Sequence, residues 1–409
     1  GYWLNSRVRQ ALLANNVNEC INPANGCVPL NVFGPDGSIS AGMNAFLNAE
    51  SQVSVKTTLA QARGTISGDL GFAVPMANDP IAFAVGAEYR NYTAKQQSDL
   101  LSQSGDMGGA GGASPNIDGG FKVWEAFGEL VLPLIQDKPF FDDLTLEGGI
   151  RYSSYSIDAP GKPKFDTWTW KAGGSWSPVS GVKVRGNYAH AVRAPNIGEL
   201  FSPLNTVLTN LAVDPCAGAA PVADANLAAV CRMQGAPANS IGNIENPSSG
   251  QANSVQGGLL SLQPETSNSW TLGLVLQPSA LSGFSASLDY YNIKIKDAIT
   301  SATPGDAINA CYGNITAASV NDPNCTVIRR NPLTGGLDGD SQTTPGLYLP
   351  LSNSGKLSTD GFDLAVNYKR DIGFADFSYA FNGNWTRSSK FQAIPTSLNR
   401  ECTGYYSAN

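Results

Sequence analysis

Charge is scarce in this chain. Asp, Glu, Lys and Arg make up 14% of its 409 residues, and no Lys/Arg run occurs. A charge-rich disordered chain is excluded and a helical bundle disfavoured. With a net charge of −7 and no basic patch, nucleic acid is not an expected partner. Histidine occurs once, at His190. His-rich zinc or haem capture therefore cannot be built. A Ser-His-Asp hydrolase would have to centre on that one ring, with no G-x-S-x-G turn to present a serine. No cofactor and no enzymatic activity are expected. Long apolar runs are also missing: stretches such as Ile81–Ala87 fall far short of the roughly 20 residues of a membrane-spanning helix. Helical periodicity is nearly absent, and 4–13 and 223–233 alone read as short helices in loops. The opening GYWLNSRVRQ has no basic segment leading into an apolar one. Either the chain is cytosolic or its beginning has been removed.

The cysteines favour removal. Seven Cys form the short-range couples Cys20/Cys27, Cys216/Cys231 and Cys311/Cys325, with Cys402 left over. Scattered buried thiols are the alternative, but each couple sits in a Pro/Asn/Gly-rich stretch that could not pack a thiol in a core. Loop disulfides, and an oxidising compartment, are the expectation. Closing a loop of ~15 residues contributes roughly 3 kcal/mol in the entropic account. Without C-x₂-C spacing, zinc is disfavoured. Cys402 implies a partner outside the sequence, and so a cut at that end too.

Period-2 alternation is present throughout. Ile81, Phe83, Val85, Ala87 and Tyr89 oppose Glu88 and Arg90. Trp124, Ala126, Gly128, Leu130 and Leu132 oppose Glu125 and Glu129, and Leu144 through Tyr152 oppose Glu147 and Arg151. Trp168 through Trp176 oppose Lys171, and Val182 through Tyr188 oppose Lys183 and Arg185. Residues 66–74, 270–276, 362–368 and 377–385 behave alike. A soluble β-sandwich alternates in the same way, but three features count against one. Connections alternate in length: short at 75–80, 133–142, 177–181, 277–283 and 370–375, long at 96–120, 194–262 and 298–354, with 158–164 short on the long side. Aromatics gather at both strand ends, as two lipid–water interfaces favour. Residues 51–74 and 284–297 are long even for the ~9–11 residues of a tilted membrane strand. The nine charges on the opposite register then face a water- or plug-filled lumen, where ladders of opposite charge contribute about 0.2–1 kcal/mol each.

Lipid offers no partner to backbone N–H and C=O groups, so such strands must close into a ring. About ten strands can be counted, and a ten-stranded ring has a narrow bore filled by side chains. The long loops and the small inward residues Gly149, Gly173 and Gly273 fit an arc of a larger ring better.

One stretch breaks the pattern. The strand ending GNYAHAV runs into Arg193-Ala194-Pro195-Asn196, then Glu199-Leu200-Phe201. AHAVRAPNIGELFSP closely resembles a signature of TonB-dependent outer-membrane receptors. ISGDLGF, VGAEYR, WEAFGELVLPLI, LTLEGGIRYSSYS, WKAGGSWSPVSGVKVRGNYA, LQPETSNSWTLGLVLQP, LDYYNIKIKDAI and GKLSTDGFDLAVNY follow the family in order, from about residue 28 onward. The resemblance implies an all-β, transmembrane, antiparallel up-and-down barrel of 22 strands in the bacterial outer membrane. This chain would be a partial barrel over 1–409 with long external loops. It implies a plug domain and a motif that engages an inner-membrane energy-transducing protein, neither seen in this sequence, so the chain reads as cut at both ends. The ligand class implied is a ferric siderophore, a vitamin or an oligosaccharide. A passive channel or adhesion barrel, and a barrel-embedded hydrolase, are the competing readings.

The Arg-Ala-Pro-Asn corner has a purely structural explanation. Pro195 forces Ala194 toward extended geometry, Asn196 suits a turn, and Arg193 can pair with a lumen carboxylate. The run GDMGGAGGASPNIDGG (105–120) lacks the Gly-Lys-Ser/Thr of a phosphate loop and reads as a mobile external loop.

Overall fold

The computed structural model describes residues 2–110 and 112–405; Gly111 of the Gly-rich run lies outside them. Its frame is one antiparallel sheet of eleven strands in simple up-and-down order. The strands are β1 (Val53–Asp69), β2 (Ala82–Ser98), β3 (Ile117–Lys138), β4 (Phe141–Ile157), β5 (Lys164–Val179), β6 (Val182–Arg193), β7 (Glu265–Leu276), β8 (Phe284–Thr300), β9 (Ser352–Asp371), β10 (Asp376–Gln392) and β11 (Arg400–Glu401). Each pairs with its neighbours in sequence, and β1 and β11 form the two edges. The expected ten strands are the long ones; the two-residue β11 is too short to show as a pattern.

Connections at one end run through 70–81, 139–140, 180–181, 277–283 and 372–375; at the other end they run through 99–116, 158–163, 194–264, 301–351 and 393–399. The turn expected at 133–142 shrinks to Pro139-Phe140. Pro133 marks a register shift rather than a strand end, as a proline at a bulge does. Phe140 sits at φ 65°.

Register places the aromatics in a girdle around the long-loop end. Tyr89–Trp124, Tyr152–Trp168, Trp170–Tyr188, Trp270–Tyr290, Tyr290–Phe362 and Phe362–Trp385 lie 4.5, 4.9, 5.3, 4.9, 5.1 and 5.7 Å apart. Trp124 and Trp385 are 63% and 64% exposed, so among the described residues nothing covers these rings. Near the short turns the Trp176 indole donates to the Phe140 carbonyl at 2.9 Å. His190 stands above the girdle, stacked on Trp170, with Nδ1 2.8 Å from Asn268 Oδ1.

The buried apolar residues lie mostly above and inside the long-loop end of the sheet. The helices Asn5–Leu12 and Ala225–Met233 form close to where the periodicity puts them. Pro304–Tyr312 and Ala41–Leu47 are further helices that the sequence reading did not mark.

Candidate ligand-admitting site

The polar face of the sheet is one element. Strand register brings all nine expected lumen charges, Glu88, Arg90, Glu125, Glu129, Glu147, Arg151, Lys171, Lys183 and Arg185, to the same side. Seven of them form ion pairs. Arg90 donates to Glu125 and lies 3.4 Å from Glu88. Arg151 reaches Glu125 at 3.3 Å, and the Ser153 hydroxyl donates to it at 2.6 Å. Lys171 stands 3.5 Å from Glu129. Arg185 grips Asp289 with two bonds of 2.9 and 2.8 Å. Asp289 escapes the sequence reading, although its place between Leu288 and Tyr290 puts it on the polar register. Glu147 and Lys183 have no ion-pair partner among the described residues.

Two of these pairs leap a strand. Glu129 and Lys171 sit on β3 and β5, each opposite Gly149 of β4. Arg185 and Asp289 sit on β6 and β8, each opposite Gly273 of β7. Two strand spacings are roughly 9–10 Å, which long side chains cross only if the middle residue has none. A Cβ on Gly273 would lie 1.9 Å from Asp289 Oδ1, and one on Gly149 3.2 Å from Lys171 Cε. Gly149 and Gly273 therefore make room for cross-strand ion pairs; Gly173, opposite Glu147 and Asn187, lies under none. Toward the loops the same face turns aromatic, with Tyr92, Phe121, Tyr155 and Phe165 following one another at 4.9, 6.1 and 4.8 Å.

The Arg193–Asn196 corner closes this face at its upper end. Arg193 pairs with a carboxylate on the polar register of β7 that is not among the nine. It forks onto Glu265 of β7 at 2.6 and 3.0 Å and onto Glu199 at 3.0 and 3.1 Å. Asn196 and Glu199 cap each other's backbone N–H at 2.8 and 2.7 Å, starting the short helix Ile197–Phe201; this is a capping box. Glu265 also accepts from the Ile299 N–H at 3.1 Å. Burial raises the pKa of Glu265, but Arg193 and that N–H outweigh it and hold the carboxyl below its ordinary value. Pro195 is fully buried. The helix drops Leu200 and Phe201 against Ile157, Leu262 and Ile299. Gly119 has no side chain where the Phe201 ring sits, 2.4 Å from the place of a Cβ. The corner thus turns the chain inward over the mouth.

The two longest loops then fold together as one domain. Cys216–Cys231 and Cys311–Cys325 are disulfide-bonded, as is Cys20–Cys27 near the chain start, while Cys402 is free. Asn205–Asn210, Gln251–Gln256 and Leu347–Tyr348 make a three-stranded sheet joining the loops. Val230, Ile308, Ile328, Leu337 and Leu347 form the core. In it Arg330 and Asp214, one from each loop and both fully buried, make bonds of 2.6 and 2.8 Å. Arg330 also donates to the Tyr312 hydroxyl, the Gln234 side chain and the Gly335 carbonyl at 2.9, 2.9 and 3.1 Å. Burial alone would lower the guanidinium pKa; Asp214 and Tyr312 raise it instead, so it stays charged. The same burial pushes the Tyr312 phenol up. This pair gives no sequence signal, because its partners lie in two segments without periodicity.

Between the loop domain, the start of the chain and the Gly-rich run lies a cavity of about 740 Å³, within the size range of small-molecule sites. The Gly-rich run is tied to the chain start: Gly108 N–H donates to the Trp3 carbonyl and Asn5 N–H to the Asp106 carbonyl, each at 2.8 Å.

A profile of the family described as "TonB dependent receptor-like, beta-barrel" matches residues 22–402. The chain belongs to this family. Such receptors are outer-membrane proteins, and the uncovered aromatic face and ion-paired polar face divide as lipid and lumen require. The similar solved structures include a mutant ferric enterobactin receptor from Pseudomonas aeruginosa in complex with enterobactin, 16% identical with TM-score 0.45, covering 82% of this chain and 36% of that one. The FrpB iron transporter from Neisseria meningitidis is 12% identical with TM-score 0.46, covering 88% and 39%. The siderophore receptor PirA from Acinetobacter baumannii is 17% identical with TM-score 0.46, covering 84% and 39%. The chain thus spans well under half the length of these structures. A search of curated proteins found no match. In this TonB-dependent receptor chain the Arg-Ala-Pro-Asn corner and the Pro-Glu of LQPETSN, far apart in sequence, meet in one ion cluster through Arg193 and Glu265.

Proposed function

We infer that this chain is the lumen wall and external capture apparatus of an energy-coupled receptor. It would import a scarce solute too large for passive pores, of the ferric siderophore, vitamin or oligosaccharide kind. One observation carries the reading: a disulfide-bonded loop domain, pinned by the Arg193 corner, stands over the mouth of a polar, ion-paired face. A passive pore gains nothing from ordering more than a hundred loop residues at about 1–2 kcal/mol of backbone entropy each; a capture site does. Coupling runs through a plug region and an inner-membrane energy-transducing protein, since the outer membrane holds no ATP.

The test uses the full-length receptor in its outer membrane. Solute uptake should collapse when a protonophore dissipates the inner-membrane gradient, and the purified receptor should give no steady conductance in planar bilayers. Energy-independent uptake with an ohmic open-state conductance would make it a passive channel.

A further inference from the structure

The cavity above the lumen is formed by segments far apart in sequence, and its chemistry is selective. Its lining carries one aromatic ring, Trp3, which is 51% exposed. The ring packs against Gly108: a Cβ there would stand 1.9 Å from the indole Nε1, so only glycine fits. The lining's formal charges are Arg9 against Asp106 and Asp340, net −1. Asp106 is anchored by the Ser6 N–H at 2.8 Å and by the Ser6 hydroxyl. The side-chain amides of Asn5 and Gln342 have no hydrogen-bond partner among the described residues.

A dehydrated polyanion is held most strongly by convergent guanidinium or ammonium groups. One cation facing two carboxylates repels a polyanionic chelate instead. A neutral, hydroxyl-rich ligand has the opposite need. Each hydroxyl both donates and accepts, and amides and carboxylates meet both demands. The C–H face of a sugar ring lies flat on an indole, whose face is electron-rich.

We propose that this cavity binds a neutral oligosaccharide, with Trp3 as the stacking platform and Asn5, Asp106, Asp340 and Gln342 as hydroxyl partners. The assignment rests on the receptor reading above and narrows its substrate class.

The experiment titrates purified full-length receptor in detergent with a panel of neutral hexasaccharides: gluco-, xylo-, manno- and galacto-configured, in α and β linkage. A ferric tris-catecholate serves as the anionic comparator, and calorimetry gives the affinities. At least one hexasaccharide should bind. Trp3→Ala should weaken it about tenfold or more, as losing an aromatic platform does. N5A/Q342A should weaken it without lowering the melting temperature. Asp340→Lys, which makes the lining net positive, should not improve it. Failure of every hexasaccharide, or binding unaffected by both Trp3→Ala and N5A/Q342A, overturns the assignment. So does a catecholate bound in a manner dependent on Trp3. In all three cases protonophore-sensitive uptake of another solute leaves the receptor reading standing; loss of that sensitivity removes the receptor reading itself.

Discussion

Single residues on the lumen face act by what they leave out. Gly273 and Gly149 each stand beneath an ion pair that spans two strand intervals. The pairs themselves are modest, because Arg185 is about half exposed and exposed pairs contribute only about 0–1 kcal/mol. A side chain at Gly273 does more harm, since it must displace a carboxylate that Arg185 grips with two bonds. Gly273→Leu is expected to destabilise the full-length barrel by about 1–3 kcal/mol, the range for overpacking. Arg185→Ala should cost less than about 1 kcal/mol. Urea midpoints in lipid vesicles check the order, and an Arg185→Ala variant worse than Gly273→Leu would refute it. Glu265 supplies a pH-dependent effect at the same scale. It lies beyond the aromatic girdle, outside the hydrocarbon. Its folded pKa is depressed, so the stability it contributes is present above the unfolded value of about 4.3 and is lost as pH falls through the lower folded value. Limited proteolysis of 202–262 on intact cells should be slow at neutral pH and quicken below about pH 4. In Arg193→Ala, cleavage should already be fast at neutral pH and its acid step should shrink.

At the scale of elements, the loop domain depends on Arg330. Removing one partner of a buried pair leaves the other charge stranded, at about 3–5 kcal/mol; replacing both with apolar residues is often neutral. Arg330→Met should therefore open the loops to protease and hydrogen exchange while β1–β10 stay protected. Adding Asp214→Leu should restore much of the protection. A double variant as labile as the single one would mean that Arg330 acts through Tyr312 and Gln234 rather than through Asp214. This division of labour also sets what the sequence could show. The strands were legible because a sheet with one polar and one lipid-facing side repeats every two residues, and a single break in that repeat marked the corner at Arg193. Two of the three disulfides lie in the loops whose mutual packing was not legible. Proximity in sequence is a cue that Cys311 and Cys325 share and Asp214 and Arg330 do not. Likewise composition marks the Gly-rich run as a loop but not why Gly108 must be glycine, which is that Trp3 occupies the space above it.

For the whole molecule, everything turns on what wets the aromatic side of the sheet. Leu272 and Leu274 project from β7 beneath Trp270 and are 54% and 37% exposed. Thr271, between Trp270 and Leu272, pairs with Asn187 and Tyr291 on the polar face. Position along the strand is nearly the same for all three; only the side differs. If acyl chains cover one side and water or the plug the other, a charge must be costly on the first and mild on the second. Leu274→Lys should destabilise the barrel in vesicles by about 2–4 kcal/mol, the figure for a lysine near the bilayer midplane. Thr271→Lys at the lumen surface should stay within about 1 kcal/mol. Thinning the bilayer with shorter acyl chains should shrink the Leu274→Lys penalty, because the ammonium then reaches the interface by snorkelling, and should leave Thr271→Lys unmoved. A protein layer against the aromatic face would make both variants indifferent to lipid length, so this dependence separates a lipid-facing sheet from a sandwich.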